Sequence, residues 1–157
     1  MGLKGAFRKS EDGGGTFVRR VLVATDRSAT AEIAEGWAAE MAERYEAELV
    51  LVQIVVPPNE VDPAVTADLA IHAQDLAGSR GRAVVAIHED PARAIVQAAD
   101  EEDVDVVVVG NVGMSGRKEF LLGNVPNRVS HLTRKTCVIV NTAQRLEQSQ
   151  RKGWLRR

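Results

Sequence analysis

The chain is poor in the residues that crosslink, span or grip. One cysteine in 157 residues, Cys137, excludes an internal disulfide, and its place in the apolar run Cys137-Val138-Ile139-Val140 predicts a buried thiol in a reducing compartment. Aromatics make up only 4%, so the 45% hydrophobic content rests on Val, Ala, Leu and Ile, the residues of β-branched strands packed on Ala-rich helices. Apolar runs are short. Those at 49–56 and 104–109 fall far below the roughly 20 residues that cross a bilayer, and residues 1–16 lack the apolar stretch of a signal peptide. Met1-Gly2 opens like a myristoylation signal but has Ala6 where Ser or Thr is required. A formal charge of -2 excludes a broad positive field for nucleic acid or an anionic membrane. The expectation is one soluble, cytoplasmic α/β domain without nucleic-acid binding or membrane insertion.

Familiar catalytic signatures are also missing. There is no G-x4-G-K-[ST], G-x-G-x-x-G or H-E-x-x-H, and no paired Cys ligands, which removes the usual supports for a Walker-type motor, a dinucleotide dehydrogenase and a zinc site. His72, His88 and His131 are scattered and read as surface or turn residues. No residue stands out as a base for activating water, so the catalytic set is empty.

What is present alternates in period. Residues 1–16, with Gly13-Gly14-Gly15, read as a flexible lead-in to a domain over 17–142. Val18 to Thr25 reads as a strand ending at the polar Thr25-Asp26-Arg27-Ser28. Ile33, Ala34, Trp37, Ala38, Met41, Ala42 and Tyr45 then stack on one helix face, with Ser28 able to cap it. Leu49 to Val56 is a second strand, ended by Pro57-Pro58. Residues 62–80 form a weaker helix on Val65, Leu69, Ala73 and Leu76, stopped by Gly78 and Gly81, and Ala83 to Ile87 is a third strand. Asp90-Pro91 opens a helix with Ala92, Ile95, Val96 and Ala99 inward. Val104 to Val109, the most apolar strand, is the expected centre of the sheet. Asn124 caps a short helix carrying Val125, Val129 and Leu132, and Thr136 to Val140 is the last strand. The basic stretch 143–157 reads as a solvated tail or as a segment docking on a partner.

Between the most apolar strand and the short helix lies G-x2-G-x9-G-N, namely Gly110, Gly113, Gly123 and Asn124. Glycines there let the backbone approach a ligand and adopt positive φ, and Gly123-Asn124 sets free amides and a helix dipole at the same mouth. Phosphate suits such a place; the alternative is that the glycines only shape a loop and a cap. Arg117, Lys118 and Arg128 lie in or beside this loop and could reach phosphates.

Val21-Leu22-Val23-Ala24-Thr25-Asp26-Arg27-Ser28, the helix after it and the stretch Val106 to Val140 together resemble the universal stress protein family over roughly 17–142. The resemblance implies an open five-stranded parallel sheet of order 3-2-1-4-5 with helices on both faces, a Rossmann-like arrangement. It further implies ATP or AMP held where β-strand winding reverses, with Mg²⁺ accompanying a triphosphate, and a homodimer paired through Thr136–Val140. Carried onto this chain, it puts Ala24, Thr25 and Asp26 beside the adenosine and the Ile54 backbone against adenine. Val109, Gly110, Gly113, Gly123, Asn124 and Val125 then line ribose and phosphates, with Arg117 nearby. Asn124 departs from the family's Ser or Thr, which puts the third phosphate in question. Three functions stay open: a regulatory stress-response module that binds nucleotide with little or no catalysis, a nucleotide-free dimeric interaction protein, and a slow ATPase.

Overall fold

Strand and helix alternate along the chain because its apolar residues switch between runs and one-sided stripes. The computed structural model describes residues 17–111 and 125–142. In order these form β1 (Arg20–Ala24), α1 (Ala29–Tyr45), β2 (Glu48–Val55), α2 (Pro63–Ala77), β3 (Gly81–Ile87), α3 (Pro91–Glu101), β4 (Val106–Gly110), α4 (Val125–Leu132) and β5 (Thr136–Val140). The expected lead-in 1–16 and tail 143–157 lie outside the described residues.

All strand pairs are parallel, in the order β3-β2-β1-β4-β5. The middle strand is therefore β1, not the more apolar β4. Both are buried, and β1 carries its charge at its start, away from the strand's far end. There Asp105 Oδ2 accepts from the Arg19 and Arg20 amides at 2.7 and 3.1 Å, and Arg20 Nε donates to Glu48 Oε2 at 2.8 Å.

Alternate side chains of each inner strand feed two cores. Val21, Val23, Leu49, Leu51, Val106 and Val108 pack with Ala34, Ala38 and Ala42 of α1 and Leu69 and Ala73 of α2. On the opposite face Leu22, Val50, Val52, Val107 and Val109 meet Ala92, Ile95 and Ala99 of α3 and Val129 of α4. The alanines let helix backbones come close to the sheet. The wider ring of stripe residues is less covered: Trp37 and Met41 are half-buried, while Tyr45 and Val65 are exposed. Gly81, expected as a helix stop, is the first residue of β3 and pairs with Leu49. Its missing side chain is required, since a Cβ there would sit 1.9 Å from the Ala73 carbonyl oxygen.

Helices α1 and α2 cover one face and α3 and α4 the other, so the winding reverses between β1 and β4. In such sheets the crevice beyond the carboxyl ends of the strands at that point is where ligands bind.

Candidate functional site

The turn after β1 is held by its own side chains. Thr25 extends the sheet by donating its amide to the Val52 carbonyl at 2.9 Å. Its hydroxyl then accepts from the Arg27 amide at 3.0 Å. Asp26 Oδ1 accepts from the Ser28 amide at 3.0 Å, and Ser28 Oγ caps α1 by accepting from Ala31 N at 3.1 Å. Between them Arg27 has φ 64°, a left-handed conformation that a non-glycine residue adopts only when its surroundings hold it. One Asp26 oxygen is thus used inside the turn. The other has no hydrogen-bond partner among the described residues, and Asp26 is exposed.

This turn forms one lip of a cavity of about 360 Å³. Strand ends supply Ala24, Thr25, Asp26, Val52, Ile54, Val109, Gly110 and Asn111, and helix starts supply Ser28, Thr30, Ala31, Pro91, Ile95, Val125 and Pro126. The walls are aliphatic, and hydroxyls, an amide and one carboxylate are grouped at β1, β4 and the start of α1. Three helices begin here, so three positive dipole ends share one mouth.

The structure brings together every expected site residue that it describes: Ala24, Thr25, Asp26, Ile54, Val109, Gly110 and Val125. Gly113, Arg117, Gly123 and Asn124, with Lys118, lie outside the described residues. Gly110 is needed for a reason other than positive φ, which it does not adopt. A Cβ on it would meet Thr142 Cγ2 at 3.1 Å and Ala34 Cβ at 3.7 Å, so glycine here admits close packing against the segment after β5.

Sequence reasoning missed Ser28, Thr30, Ala31, Val52, Pro91, Ile95, Asn111 and Pro126 as lining residues. Several were read as caps or core positions, and they are that too. The signal that finds them is topological: in a parallel sheet, strand ends and helix starts share one edge. Asn111 also fastens the rim, its Oδ1 accepting from the Thr142 amide at 3.0 Å and hydroxyl at 3.2 Å.

Three readings are corrected. Arg128 does not line the cavity; its guanidinium donates to both oxygens of Asp90, at 2.7 and 2.6 Å, and ties α4 to the cap of α3. That bond is the main reason the Asp90 carboxyl is lowered from 3.8 to about 2. His72 is not a free surface residue, because its Nε2 lies 2.5 Å from Oε2 of the buried Glu35. Cys137 is half-buried rather than enclosed, and burial still pushes its thiol up. His88 is a turn residue as expected, its Nδ1 accepting from the Asp90 amide at 2.8 Å.

Among the described residues no helix is long and apolar enough to cross a membrane, and no group of three or more His, Cys, Asp or Glu could hold a metal ion.

Comparison with known proteins places these features in a family. A universal stress protein of Mycobacterium tuberculosis is 48% identical over 52 residues, 33% of this chain and 36% of that relative. The chain thus aligns with about a third of the length of that curated relative. A solved universal stress protein in complex with cAMP is 31% identical, with TM-score 0.64 over 80% of this chain and 98% of its own. Another, from Archaeoglobus fulgidus in complex with dAMP, shares the fold at 21% identity and TM-score 0.61, over 80% and 100%. The family model for universal stress proteins matches residues 18–141, and the chain belongs to that family.

Proposed function

We propose that residues 17–142 form a regulatory stress-response module that holds an adenine nucleotide, ATP or AMP, and turns it over slowly or not at all. The observation that carries this reading is the cavity at the β1/β4 reversal, with aliphatic walls, helix starts at its mouth and a carboxylate on its lip. Its volume falls within the roughly 300–1,000 Å³ of pockets for cofactor-sized ligands. Val52, Ile54, Ile95 and Val109 give the cavity an aliphatic lining suited to the apolar faces of a base. The spare Asp26 oxygen is an acceptor for a ribose hydroxyl, and the helix starts favour phosphate. The cAMP complex of a relative at 31% identity supports the same ligand class.

Slow or absent turnover fits the lining. Asp26 is its one carboxylate among the described residues, and half of that group is engaged by Ser28. Magnesium enters this reading as the companion of a triphosphate, whose own oxygens and water supply most of its ligands. The reading also pairs two copies through the edge strand β5 in the cytoplasm.

Thermal melting with and without millimolar AMP, ADP and ATP tests the site. A ligand held only by the folded chain stabilises it by about 2.7 kcal/mol at a hundred times its Kd, a shift of several degrees. Asp26→Ala is expected to abolish the shift. Unchanged midpoints for the natural chain with all three nucleotides would overturn the proposal and favour the nucleotide-free interaction protein.

A further inference from the structure

Glu35 is out of keeping with its surroundings. It is only 1% exposed, on a helix whose neighbouring buried positions are Ala34, Ala38 and Ala42. A carboxylate accepts and cannot donate, so each of its oxygens needs a donor. Thr25 Oγ1 donates to Oε1, and His72 Nε2, from α2, faces Oε2 at 2.5 Å.

The bond from Thr25 has a consequence for the cavity. A threonine hydroxyl carries one proton, and here it is committed to Glu35. The same oxygen is left to present a lone pair, and it accepts from the Arg27 amide at 3.0 Å. That amide belongs to the residue at φ 64°, and Asp26 lies between the two partners. A chain of contacts therefore runs from α2 through Glu35 and Thr25 into the turn that carries the cavity's one described carboxylate.

We infer that Glu35 is a positioning residue for the nucleotide site: it fixes the direction of the Thr25 hydroxyl, which holds the left-handed turn at Arg27 and so the Asp26 carboxylate at the lip. The inference rests on the nucleotide-binding reading above and adds to it a control point outside the cavity. A purely mechanical role, bracing α1 against α2, makes different predictions, because bracing does not depend on which way a hydroxyl points.

The experiment compares Glu35→Leu, Glu35→Gln and Thr25→Val in the full chain. AMP affinity is measured by calorimetry, stability by melting, and the Arg27 amide by hydrogen exchange. Glu35→Leu and Thr25→Val should each weaken AMP by about tenfold, the worth of one good hydrogen bond, and expose the Arg27 amide. The double variant should be no weaker than the worse single one, since both cut the same chain. Glu35→Gln should bind close to the natural chain, because Gln offers an oxygen to Thr25 and an amide to His72.

Natural affinity and Arg27 protection in Glu35→Leu would overturn the inference. So would a loss that follows the melting point alone and is as large in Glu35→Gln. If Glu35→Leu fails to fold, Arg27 exchange in Thr25→Val decides, protection kept overturning the inference. If the natural chain binds none of AMP, ADP and ATP, the nucleotide reading fails, and Arg27 exchange alone judges Glu35: protection lost in Glu35→Leu supports its hold on the turn, and protection kept overturns it.

Discussion

Three glycines show how one residue type is held in place for different reasons. At Gly36, on the exposed side of α1, an added Cβ meets nothing within 4 Å. Alanine there removes the backbone entropy of a mid-helix glycine and should stabilise the fold by about 1 kcal/mol. At Gly81 the same Cβ would lie 1.9 Å from a main-chain oxygen of α2, which a side-chain rotation cannot relieve. Gly81→Ala should cost roughly 3 kcal/mol, the upper end of overpacking penalties, by forcing α2 off β3. Gly110 is intermediate, since the closest atom at 3.1 Å is the Thr142 methyl. Gly110→Ala should cost about 1 kcal/mol and be partly relieved by Thr142→Ser. Urea denaturation of the four variants tests the order; an unstable Gly36→Ala or a harmless Gly81→Ala would contradict it. From the sequence, Gly81 is legible as punctuation and Gly110 as part of a motif. Neither steric reason is, because Ala73 and Thr142 are brought to them only by the finished packing.

Elements were the most legible part of the chain, and the pairings between them the least. Alanine stripes at helical spacing, Ser28 before α1 and Asp90-Pro91 before α3 mark helices through local physics, and all three features stand in the structure. The contacts of Arg128 with Asp90 and of His72 with Glu35 join residues 38 and 37 positions apart, and no periodicity encodes them. The first of these pairs holds α4 to α3 beside the cavity, and it carries a pH signature. Asp90 is lowered from 3.8 to about 2, chiefly by the hydrogen bond from Arg128. A carboxylate lowered on folding stabilises the fold fully above its unfolded value, and that contribution fades as pH falls through the folded one. The natural chain should therefore exceed Arg128→Met in stability at pH 5 and above, and the gap should close between about pH 4 and pH 2. Denaturant titrations of both proteins across that range provide the measurement, and a gap that widens on acidification would refute the assignment.

For the whole molecule, the strand order could be stated in advance only through family resemblance. Apolar content alone pointed to β4 as the middle strand, because being buried on both faces does not distinguish the centre from its neighbour. The same limit applies to assembly. Among the described residues β5 bonds only to β4, leaving one backbone edge unpaired by them, and Ile139 on it is 44% exposed. An open edge carrying an apolar side chain is a liability unless a second chain covers it. Two copies meeting edge to edge about a twofold axis would pair both edges and bury both isoleucines, since such an interface is complementary to itself. Ile139→Lys should then convert a particle of twice the chain mass into one of single mass by light scattering. Ile139 does not line the cavity, so AMP should still raise the melting point of the variant. A natural chain that stays at single mass at high micromolar concentration would show that no second copy covers the β5 edge.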